Sequence, residues 1–310
     1  MGKNKRIKSL LAGLSQDVLS SLQKPSKRNV AKHVLEEKEL PPRNQVPLKR
    51  RKLTGLLGPG WEDYDATNLV PFYVEPSEVP QDLRKYFSQR ERYFSLYNQG
   101  CLLDEQGWYS VTPEAIANAI ADKCRCFTIL DAFCGVGGNA IAFAQTCERV
   151  IAIDNCETRL RLARHNAVIY GVQDRIEFIL GDYISFAKSY PTLPERTRTA
   201  IDVVFLSPPW GGINYISPES VANDGQSTST PNYGLERIKP IEGADLFQLT
   251  KGITPHIAFY LPKHVDLEQV SALTKRETIE VQEAWMSNKL KAVTCYFGGL
   301  AKGQEHLLSS

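Results

Sequence analysis

The sequence lacks the features of membrane, secreted and metal-binding proteins. None of its apolar runs is long enough to span a bilayer, and the basic N-terminus has no compact apolar segment followed by a cleavage site. The seven cysteines form no Cys-x-x-Cys pair, and the five histidines show no ligand spacing. We therefore expect reduced thiols in a cytosolic or nuclear protein, with no membrane contact and no metal.

Charge is divided unevenly along the chain, although the net charge is only +2. Of the 37 Lys/Arg and 35 Asp/Glu, residues 1–55 contain 14 and 4, a balance of +10. The remaining 23 basic and 31 acidic residues give a balance of −8. A basic tail on a mildly acidic domain favours contact with a polyanion or a transport receptor.

Composition and pattern divide the chain into segments. We expect a basic, largely disordered leader at 1–60, a helical extension at 61–125, an α/β domain at 126–300 and a tail at 301–310. The leader contains a compact basic cluster at 47–53, which is typical of nuclear-import signals, although a solvated charge run is the alternative. The cluster predicts an import receptor as a partner and a location in the nucleus, including the nucleolus.

The chain is organised around residues 127–139, an apolar run that ends in an acid and a glycine-rich loop. A helical segment follows at once, so the stretch is typical of a buried strand, a tight turn and a helix N-terminus. Gly135 and Gly137 let the backbone approach a ligand closely because they carry no Cβ. Such a loop suits a nucleoside, and both a nicotinamide dinucleotide and S-adenosylmethionine fit it.

Three acids favour one of these two cofactors. Asp131 directly precedes the glycines, where it would repel a pyrophosphate and attract the sulfonium and ammonium groups of S-adenosylmethionine. Asp154 ends the next strand, where it can hold a ribose diol. Asp182 ends the third strand, where an adenine amino group can donate to it. We therefore predict S-adenosylmethionine, and the alternative is that the acids merely cap strand ends.

Strands and helices alternate from residue 127 onward. The helical patterns cover residues 156–170, 183–189, 242–251 and 266–274. Two final strand-like runs, 278–285 and 291–297, are close enough in sequence to pair antiparallel. This order predicts an α/β, Rossmann-like class I methyltransferase fold with a mostly parallel seven-stranded sheet and a C-terminal antiparallel hairpin. Ligands of such sheets bind outside the carboxyl ends of the strands.

Two helices are predicted in the extension that precedes this domain. Residues 80–98 have aromatic side chains near helical spacing, with basic side chains such as Lys85 between them. A stripe of this kind belongs either to the core or to a nucleotide-binding surface. Residues 113–123 form the second helix, with Thr112 as its N-cap and Pro113 at its first position.

The most specific motif is Ser207-Pro208-Pro209-Trp210, which directly follows the fourth strand. The prolines stiffen the turn and remove backbone donors. The Ser207 hydroxyl and the carbonyls of Ser207 and Pro208 can then accept hydrogen bonds from an exocyclic amine. Trp210 would stack on the base, and tryptophan favours a cationic ring such as 7-methylguanine. The alternative is a plain proline turn beside a buried tryptophan.

These motifs together resemble those of the trimethylguanosine synthases, which are RNA cap guanosine-N2 methyltransferases. The matching segments are residues 86–90 with 94–95, 107–114, 131–139, 207–212, and 289–291 with 296–298. The resemblance covers about residues 80–300. It implies two S-adenosylmethionine-dependent steps that convert the 7-methylguanosine cap of small nuclear and nucleolar RNAs to the 2,2,7-trimethyl form. It also implies proteins of the corresponding ribonucleoprotein particles as partners.

The resemblance further implies roles for individual residues. The cofactor-binding residues are Phe94 as a cover on the adenosyl group, Thr112 and Pro113 on the methionine side, Asp131, Gly135, Gly137, Asn139, Asp154 and Asp182. The catalytic residues are Ser207 and Pro208, which hold the amine, and Trp210, which stacks on the base. The other substrate contacts are Asn166 at the guanine edge and Lys85, Tyr215 and Lys263 at the cap phosphates.

The sequence departs from the family pattern at two positions. Lys263 stands where an arginine is often found, and a lysine does not bind phosphate in the bidentate manner of a guanidinium. Gly299 replaces an acid. Two alternatives stay open from the residues alone. One is an adenine-N6 or protein-amide methyltransferase, and the other is a non-catalytic cap-binding module.

Overall fold

A computed structural model describes residues 55–211, 232–275 and 277–308, which all belong to one compact unit, Pro47–Ser310. Tyr215, the basic cluster at 47–53 and most of the Ser/Thr-rich segment after Trp210 lie outside the described residues. In the part of the chain that the structure describes, no helix has the length and apolar character that a bilayer crossing requires.

A seven-stranded sheet forms the centre of the described unit. Its strands are β1 (Thr128–Asp131), β2 (Arg149–Asp154), β3 (Ile176–Leu180), β4 (Val203–Leu206), β5 (Ile257–Pro262), β6 (Glu280–Met286) and β7 (Lys289–Tyr296). Their order across the sheet is β3-β2-β1-β4-β5-β7-β6. Strands β1 to β5 pair in parallel, and β7 pairs antiparallel with both β5 and β6. The predicted mostly parallel sheet with a C-terminal hairpin is confirmed.

Helices cover both faces of this sheet. They are α1 (Arg84–Phe87), α2 (Arg90–Tyr93), α3 (Glu105–Ser110), α4 (Glu114–Lys123), α5 (Gly138–Ala144), α6 (Glu157–Tyr170), α7 (Tyr183–Ser189), α8 (Gly243–Lys251) and α9 (Leu267–Ala272). The buried residues of α4, α5 and α6 share one core cluster with the N-terminal extension, and those of α7, α8 and α9 belong to the other. Ile129 and Leu130 in β1 belong to different clusters because successive strand side chains point to opposite faces.

The extension does not contain the single helix that we predicted over residues 80–98. Two one-turn helices, α1 and α2, form instead, and Gln89 between them has non-helical backbone angles (φ −116°, ψ 14°). The aromatic side chains of this segment pack against one another. The ring centroids of Phe87, Tyr97 and Trp108 lie 5.5 to 6.2 Å apart. The chain bends to bring them together, so their spacing reflects a folded aromatic cluster and not a continuous helix.

Candidate functional site: a pocket at the carboxyl ends of three strands

The sheet order brings the three central sequence motifs to one edge. Strand β1 lies between β2 and β4, and all three run in parallel. Asp131 ends β1 and Asp154 ends β2, while Ser207 directly follows the end of β4. Asp131 is in register with Phe205, two residues before Ser207. The glycine loop and the Ser-Pro-Pro-Trp turn are therefore neighbours at the carboxyl edge, where ligands of such sheets bind.

Asp131 is the most perturbed acid at this edge. Its side chain is fully buried, and neither carboxyl oxygen accepts a hydrogen bond of good geometry from a described residue. The pKa of Asp131 is raised to about 8: burial is the main cause, the charge of Asp154 adds to it, and the backbone N–H groups of Phe133 and Ala140 partly offset the increase. A buried carboxyl group without partners is unfavourable in isolation. It fits a cationic ligand, which would supply the missing charge partner.

Asp154 is also buried, but its carboxylate has several partners. It accepts hydrogen bonds from the backbone N–H of Gly135 at 2.9 Å and of Cys156 at 2.8 Å. Arg159, in the first turn of α6, forms an ion pair with it at 3.3 Å. The same guanidinium donates to the side-chain oxygen of Gln106 at 2.6 Å. Asp154 thus fixes the start of the glycine loop, and Arg159 is a residue of this site that sequence reasoning missed.

The two loop glycines have different surroundings. Gly137 has a positive φ of 90°, and a Cβ there would lie 3.0 Å from the Cβ of Ala163 in α6. Gly135 also has a positive φ, 53°, but a Cβ there would meet no atom within 4 Å. Gly137 is therefore required for the close approach of the loop to α6. Gly135 faces open space, which is the side on which a ligand can approach the backbone.

Thr112 and Asn139 connect the extension to the glycine loop. The Asn139 amide donates to the Thr112 hydroxyl at 3.0 Å, and both side chains are buried. The amide oxygen of Asn139 has no hydrogen-bond partner among the described residues. Our prediction of Thr112 as a helix N-cap is wrong, because α4 begins at Glu114 and its N-cap is Pro113. The proline carbonyl starts the helix, which leaves the threonine hydroxyl available to Asn139.

Phe94 lines a small cleft between the extension and α5. The cleft is lined by Tyr93, Phe94, Glu114, Asn118, Gly138, Ile141, Ala142, Gln145 and Tyr170. Glu114 accepts hydrogen bonds from the backbone and hydroxyl of Ser95 at 2.6 and 2.8 Å and from the Tyr170 hydroxyl at 2.6 Å. Glu114 thus binds both Ser95, the residue after Phe94, and Tyr170, which lines the same cleft, and these hydrogen bonds hold Phe94 in place. Sequence reasoning missed Glu114 and Tyr170, although Glu114 ends one of the recognised segments.

Asn166 does not lie where the sequence led us to expect. Its side chain is fully buried in α6. Its amide exchanges hydrogen bonds with the backbone N–H and carbonyl of Leu102 at 2.8 and 2.9 Å, and it donates to the Val136 carbonyl at 2.9 Å. Both N–H groups are used and no part of the residue is exposed. The predicted contact with a guanine edge is not available to this side chain, which instead holds the extension and the glycine loop against α6.

The Ser-Pro-Pro-Trp turn is held on both sides. The Ser207 hydroxyl donates to the carbonyl of Phe133, in the glycine loop, at 3.4 Å. Trp210 is half-buried, and its ring centroid lies 5.3 Å from that of Tyr260 in β5. The Tyr233 hydroxyl donates to the Trp210 carbonyl at 3.0 Å. These contacts fix the height and tilt of the indole beside the pocket.

The remaining predicted residues lie around this edge. Asp182 is exposed, and its carboxylate accepts hydrogen bonds from the N–H and hydroxyl of Ser185, both at 2.8 Å. Lys85 is exposed on α1, with its ammonium 4.8 Å from the Tyr86 ring centroid. Lys263 directly follows β5 and is half-buried.

Two lysines of β7, Lys289 and Lys291, accompany Lys263; the sequence analysis placed them in a matching segment but gave them no role. Burial lowers the pKa of Lys291, and the charges of Lys289 and Lys263 lower it further. Within residues 55–211, 232–275 and 277–308, no carboxylate forms an ion pair with any of the three. A group of cations that repel one another, without an ion-pair partner among the described residues, suits an anionic ligand. The alternating Lys-Leu-Lys pattern after the hairpin turn was the available signal.

Comparison with known proteins identifies the family. A family model described as RNA cap guanine-N2 methyltransferase matches residues 126–300. The chain belongs to this family. The trimethylguanosine synthase of Schizosaccharomyces pombe is 34% identical over 252 residues, which cover 76% of this chain and 94% of that protein. The trimethylguanosine synthase of Saccharomyces cerevisiae is 33% identical over 201 residues, which cover 63% of this chain and 59% of that protein.

A putative methyltransferase from Porphyromonas gingivalis W83 aligns with a TM-score of 0.49 and 14% identity over 73% of this chain and 54% of that one. The family model and the two yeast relatives show that this chain is an S-adenosylmethionine-dependent methyltransferase whose substrate is a capped RNA. Membership favours guanine-N2 over the adenine-N6 and protein-amide alternatives, and an enzyme over a non-catalytic module. Among the described residues, no three His, Cys, Asp or Glu side chains are grouped so that they could hold a metal.

Proposed function

We propose that this cap methyltransferase converts the 7-methylguanosine cap of small nuclear and nucleolar RNAs to 2,2,7-trimethylguanosine in two successive methyl transfers. The observation that carries the proposal is the position of Asp131 and Ser207 at the ends of neighbouring strands, with the Ser207 hydroxyl bonded to the glycine loop. An acid suited to a cationic methyl donor thus lies beside a turn suited to an amine acceptor. Both yeast relatives are trimethylguanosine synthases, which supports the trimethylated product.

The buried polar atoms of the pocket fit S-adenosylmethionine. Asp131 and the amide oxygen of Asn139 are buried acceptors without partners among the described residues, which is what a ligand with two cationic groups requires. Gly135 leaves space on the ligand side. When bound, S-adenosylmethionine supplies the electrophilic methyl group. The residues that would hold it are Phe94, Thr112, Pro113, Asp131, Gly135, Gly137, Asn139, Asp154 and Asp182.

The amine is held by the turn after β4. The Ser207 hydroxyl and the carbonyls of Ser207 and Pro208 accept hydrogen bonds from the exocyclic amine of guanine and direct its lone pair into the pocket. Trp210, fixed by Tyr260 and Tyr233, stacks on the base. No strong base is required, because the amine releases its proton to water or a carbonyl after transfer. Positioning and a preorganised polar pocket therefore supply most of the rate enhancement.

The cap phosphates are bound by the lysines near the hairpin. Lys263, Lys289 and Lys291 already repel one another, and a polyphosphate would relieve this repulsion. Lys85 contributes from the other side, and Tyr215 contributes from the segment after Trp210. Three ammonium groups together replace the bidentate recognition that Lys263 alone does not provide.

The basic leader directs the enzyme to its RNA. Its balance of +10 over residues 1–55 suits an import receptor and the proteins of small nuclear and nucleolar ribonucleoprotein particles. The enzyme then acts in the nucleus and nucleolus. Fusion of residues 1–60 to a fluorescent protein tests this part: nuclear accumulation that is lost when the basic residues of the 47–53 cluster are replaced by serine is expected, and diffuse cytoplasmic fluorescence contradicts it.

The product of the reaction is tested with a small capped substrate. A 7-methylguanosine dinucleotide cap is incubated with enzyme and S-adenosylmethionine, and the products are followed by mass spectrometry. We expect a gain of one methyl group and then of a second, with both on the guanine exocyclic nitrogen after digestion to nucleosides. A product that stops at one methyl group, or carries it on another atom, overturns the proposal.

A further inference from the structure

Two cysteines meet at the amino ends of β1 and β2, at the sheet edge opposite the cofactor pocket. Cys126 lies two residues before Thr128, and Cys147 lies two residues before Arg149. Thr128 and Arg149 are the first residue pair in the parallel register of these strands. The Sγ atoms of the two cysteines are 3.9 Å apart. Because each cysteine lies two residues before a member of this pair, the two backbones run alongside each other at the cysteines, as a disulfide requires.

The two thiols form a short hydrogen-bonded chain. Cys126 is half-buried and donates toward the sulfur of the buried Cys147, which in turn donates to the Cys124 carbonyl at 3.5 Å. The hydrogen bond from Cys126 lowers the pKa of Cys147, with help from the nearby Arg125 charge, and the same pairing raises the pKa of Cys126. When one of the two thiols loses its proton, the remaining proton is shared between the two sulfurs. The pair therefore forms a thiolate more readily than an isolated buried thiol does.

We propose that Cys126 and Cys147 are a modification site that forms a reversible disulfide in response to a peroxide. The half-exposed Cys126 meets the oxidant, and Cys147, which accepts its hydrogen bond, takes up the Cys126 proton as the Cys126 sulfur attacks. The Cys126 sulfur attacks one peroxide oxygen and the O–O bond breaks. One water is released, and Cys126 becomes a sulfenic acid. Cys147 then attacks that sulfur, the S–O bond breaks, and a second water leaves. Two thiols and one hydrogen peroxide therefore give one disulfide and two waters.

The crosslink would close the segment that carries the cofactor loop. Residues 126–147 include β1, the glycine loop and α5, so one bond would join the beginning and the end of this strand-loop-helix unit. Closing such a loop stabilises the folded state by restricting the unfolded chain, and we expect Tm to rise by about 5 °C. Thiol-reducing conditions reverse the bond, as they do for other disulfides inside cells.

Peptide mapping tests the bond directly. The folded full-length protein is treated with about one equivalent of hydrogen peroxide, then unfolded in the presence of an alkylating reagent so that buried thiols also react, and digested. Trypsin leaves Cys126, Cys134 and Cys147 on one peptide, 126–149, because no Lys or Arg lies between Cys126 and Glu148. A second digestion with chymotrypsin, after Phe127, Phe133 and Phe143, separates the three cysteines.

We expect fragments 126–127 and 144–149 joined by a disulfide, with Cys134 alkylated and the bond removed by dithiothreitol. Alkylation of all three cysteines, a bond to Cys134, or sulfinic acid in place of a bond overturns it. Cys126→Ser must abolish both the joined fragments and the rise in Tm. Cys156→Ser, which replaces another half-buried thiol, must keep both.

Discussion

Asp131 and Asp154 end neighbouring strands of the sheet, yet the structure gives their carboxyl groups opposite surroundings. Asp154 accepts hydrogen bonds from Gly135 and Cys156 and forms an ion pair with Arg159. Asp131 is more deeply buried and has no partner of good geometry among the described residues. Asp154 therefore maintains the loop, whereas Asp131 provides an unsatisfied acceptor for a cationic ligand.

Binding of the cofactor should release a proton from Asp131. Burial raises its pKa to about 8, so the carboxyl group is protonated at pH 7 and must ionise to pair with a cation. We expect release of about 0.9 proton per S-adenosylmethionine at pH 7, measured by calorimetry in buffers of different ionisation enthalpy. Asp182→Asn is the matched control and should leave the release unchanged. Binding without proton release would contradict the role of Asp131.

Replacement of Asp131 should also change how stability depends on pH. The unfolded carboxyl group loses its proton near pH 4, whereas the folded one keeps it until about pH 8. The folded state therefore binds more protons in this window, and wild-type stability falls as pH rises. Asp131→Asn removes this titration, so its free energy of unfolding relative to wild type should increase by about 1 kcal/mol per pH unit between pH 5 and 7.

Urea denaturation of the ligand-free proteins measures that difference, and Asp182 provides its control. Burial alone would raise the pKa of Asp182, but hydrogen bonds from Ser185 outweigh it and lower the pKa. The contribution of Asp182 is lost only at acid pH, so Asp182→Asn should differ from wild type by a constant amount between pH 5 and 8. A constant difference for Asp131→Asn as well would contradict its raised pKa.

Asn166 should be important for stability and not for recognition of the guanine. Asn166→Ala leaves the N–H and carbonyl of Leu102 and the carbonyl of Val136 without partners. We expect a loss of about 3 kcal/mol in the free energy of unfolding, measured in urea. Asn68→Ala, at an exposed position, should change it little. If Asn166→Ala instead had normal stability and a raised KM for the cap, the guanine contact predicted from the sequence would be correct.

Lys291 should contribute to binding of the cap phosphates. Lys291→Gln removes one ammonium from the group that it forms with Lys263 and Lys289, and we expect about a tenfold rise in KM for a capped dinucleotide at low salt. The increase should shrink as salt is added, because screening weakens the wild-type contact. Lys251→Gln removes a lysine that is already paired with Glu277 and should leave KM unchanged. An unchanged KM for Lys291→Gln would contradict phosphate binding by β7.

The sequence predicted the sheet because apolar runs and helical patterns are local signals. The strands that end at Asp131 and Asp154, the helix over Tyr183–Ser189 and the hairpin are confirmed. The error over residues 80–98 has a tertiary cause. Their aromatic spacing matched a helix, but the rings pack against Trp108 and against each other in a bent chain. Periodicity alone does not distinguish these two arrangements.

Residues of the site were predicted when they lay in a motif whose chemistry is local, and they were missed when their role depends on partners distant in sequence. Arg159 meets Gln106 across 53 positions, and Glu114 meets Tyr170 across 56. No local sequence pattern predicts such contacts. Asn166 was misassigned for a related reason. A polar residue on a helix beside a ligand loop can face the ligand or the interior, and only the fold shows that it binds Leu102.

The central claim is that the turn after β4 presents Trp210 to a cationic purine. It is tested most directly by kcat/KM for a 7-methylguanosine dinucleotide cap against the unmethylated guanosine dinucleotide, with wild type and Trp210→Leu. Cation–π stacking is worth about 2 kcal/mol when desolvated, so we predict that wild type prefers the methylated cap by about 30-fold or more. Trp210→Leu should lose most of this preference and keep its affinity for S-adenosylmethionine. Equal kcat/KM for the two caps in wild type would contradict the claim.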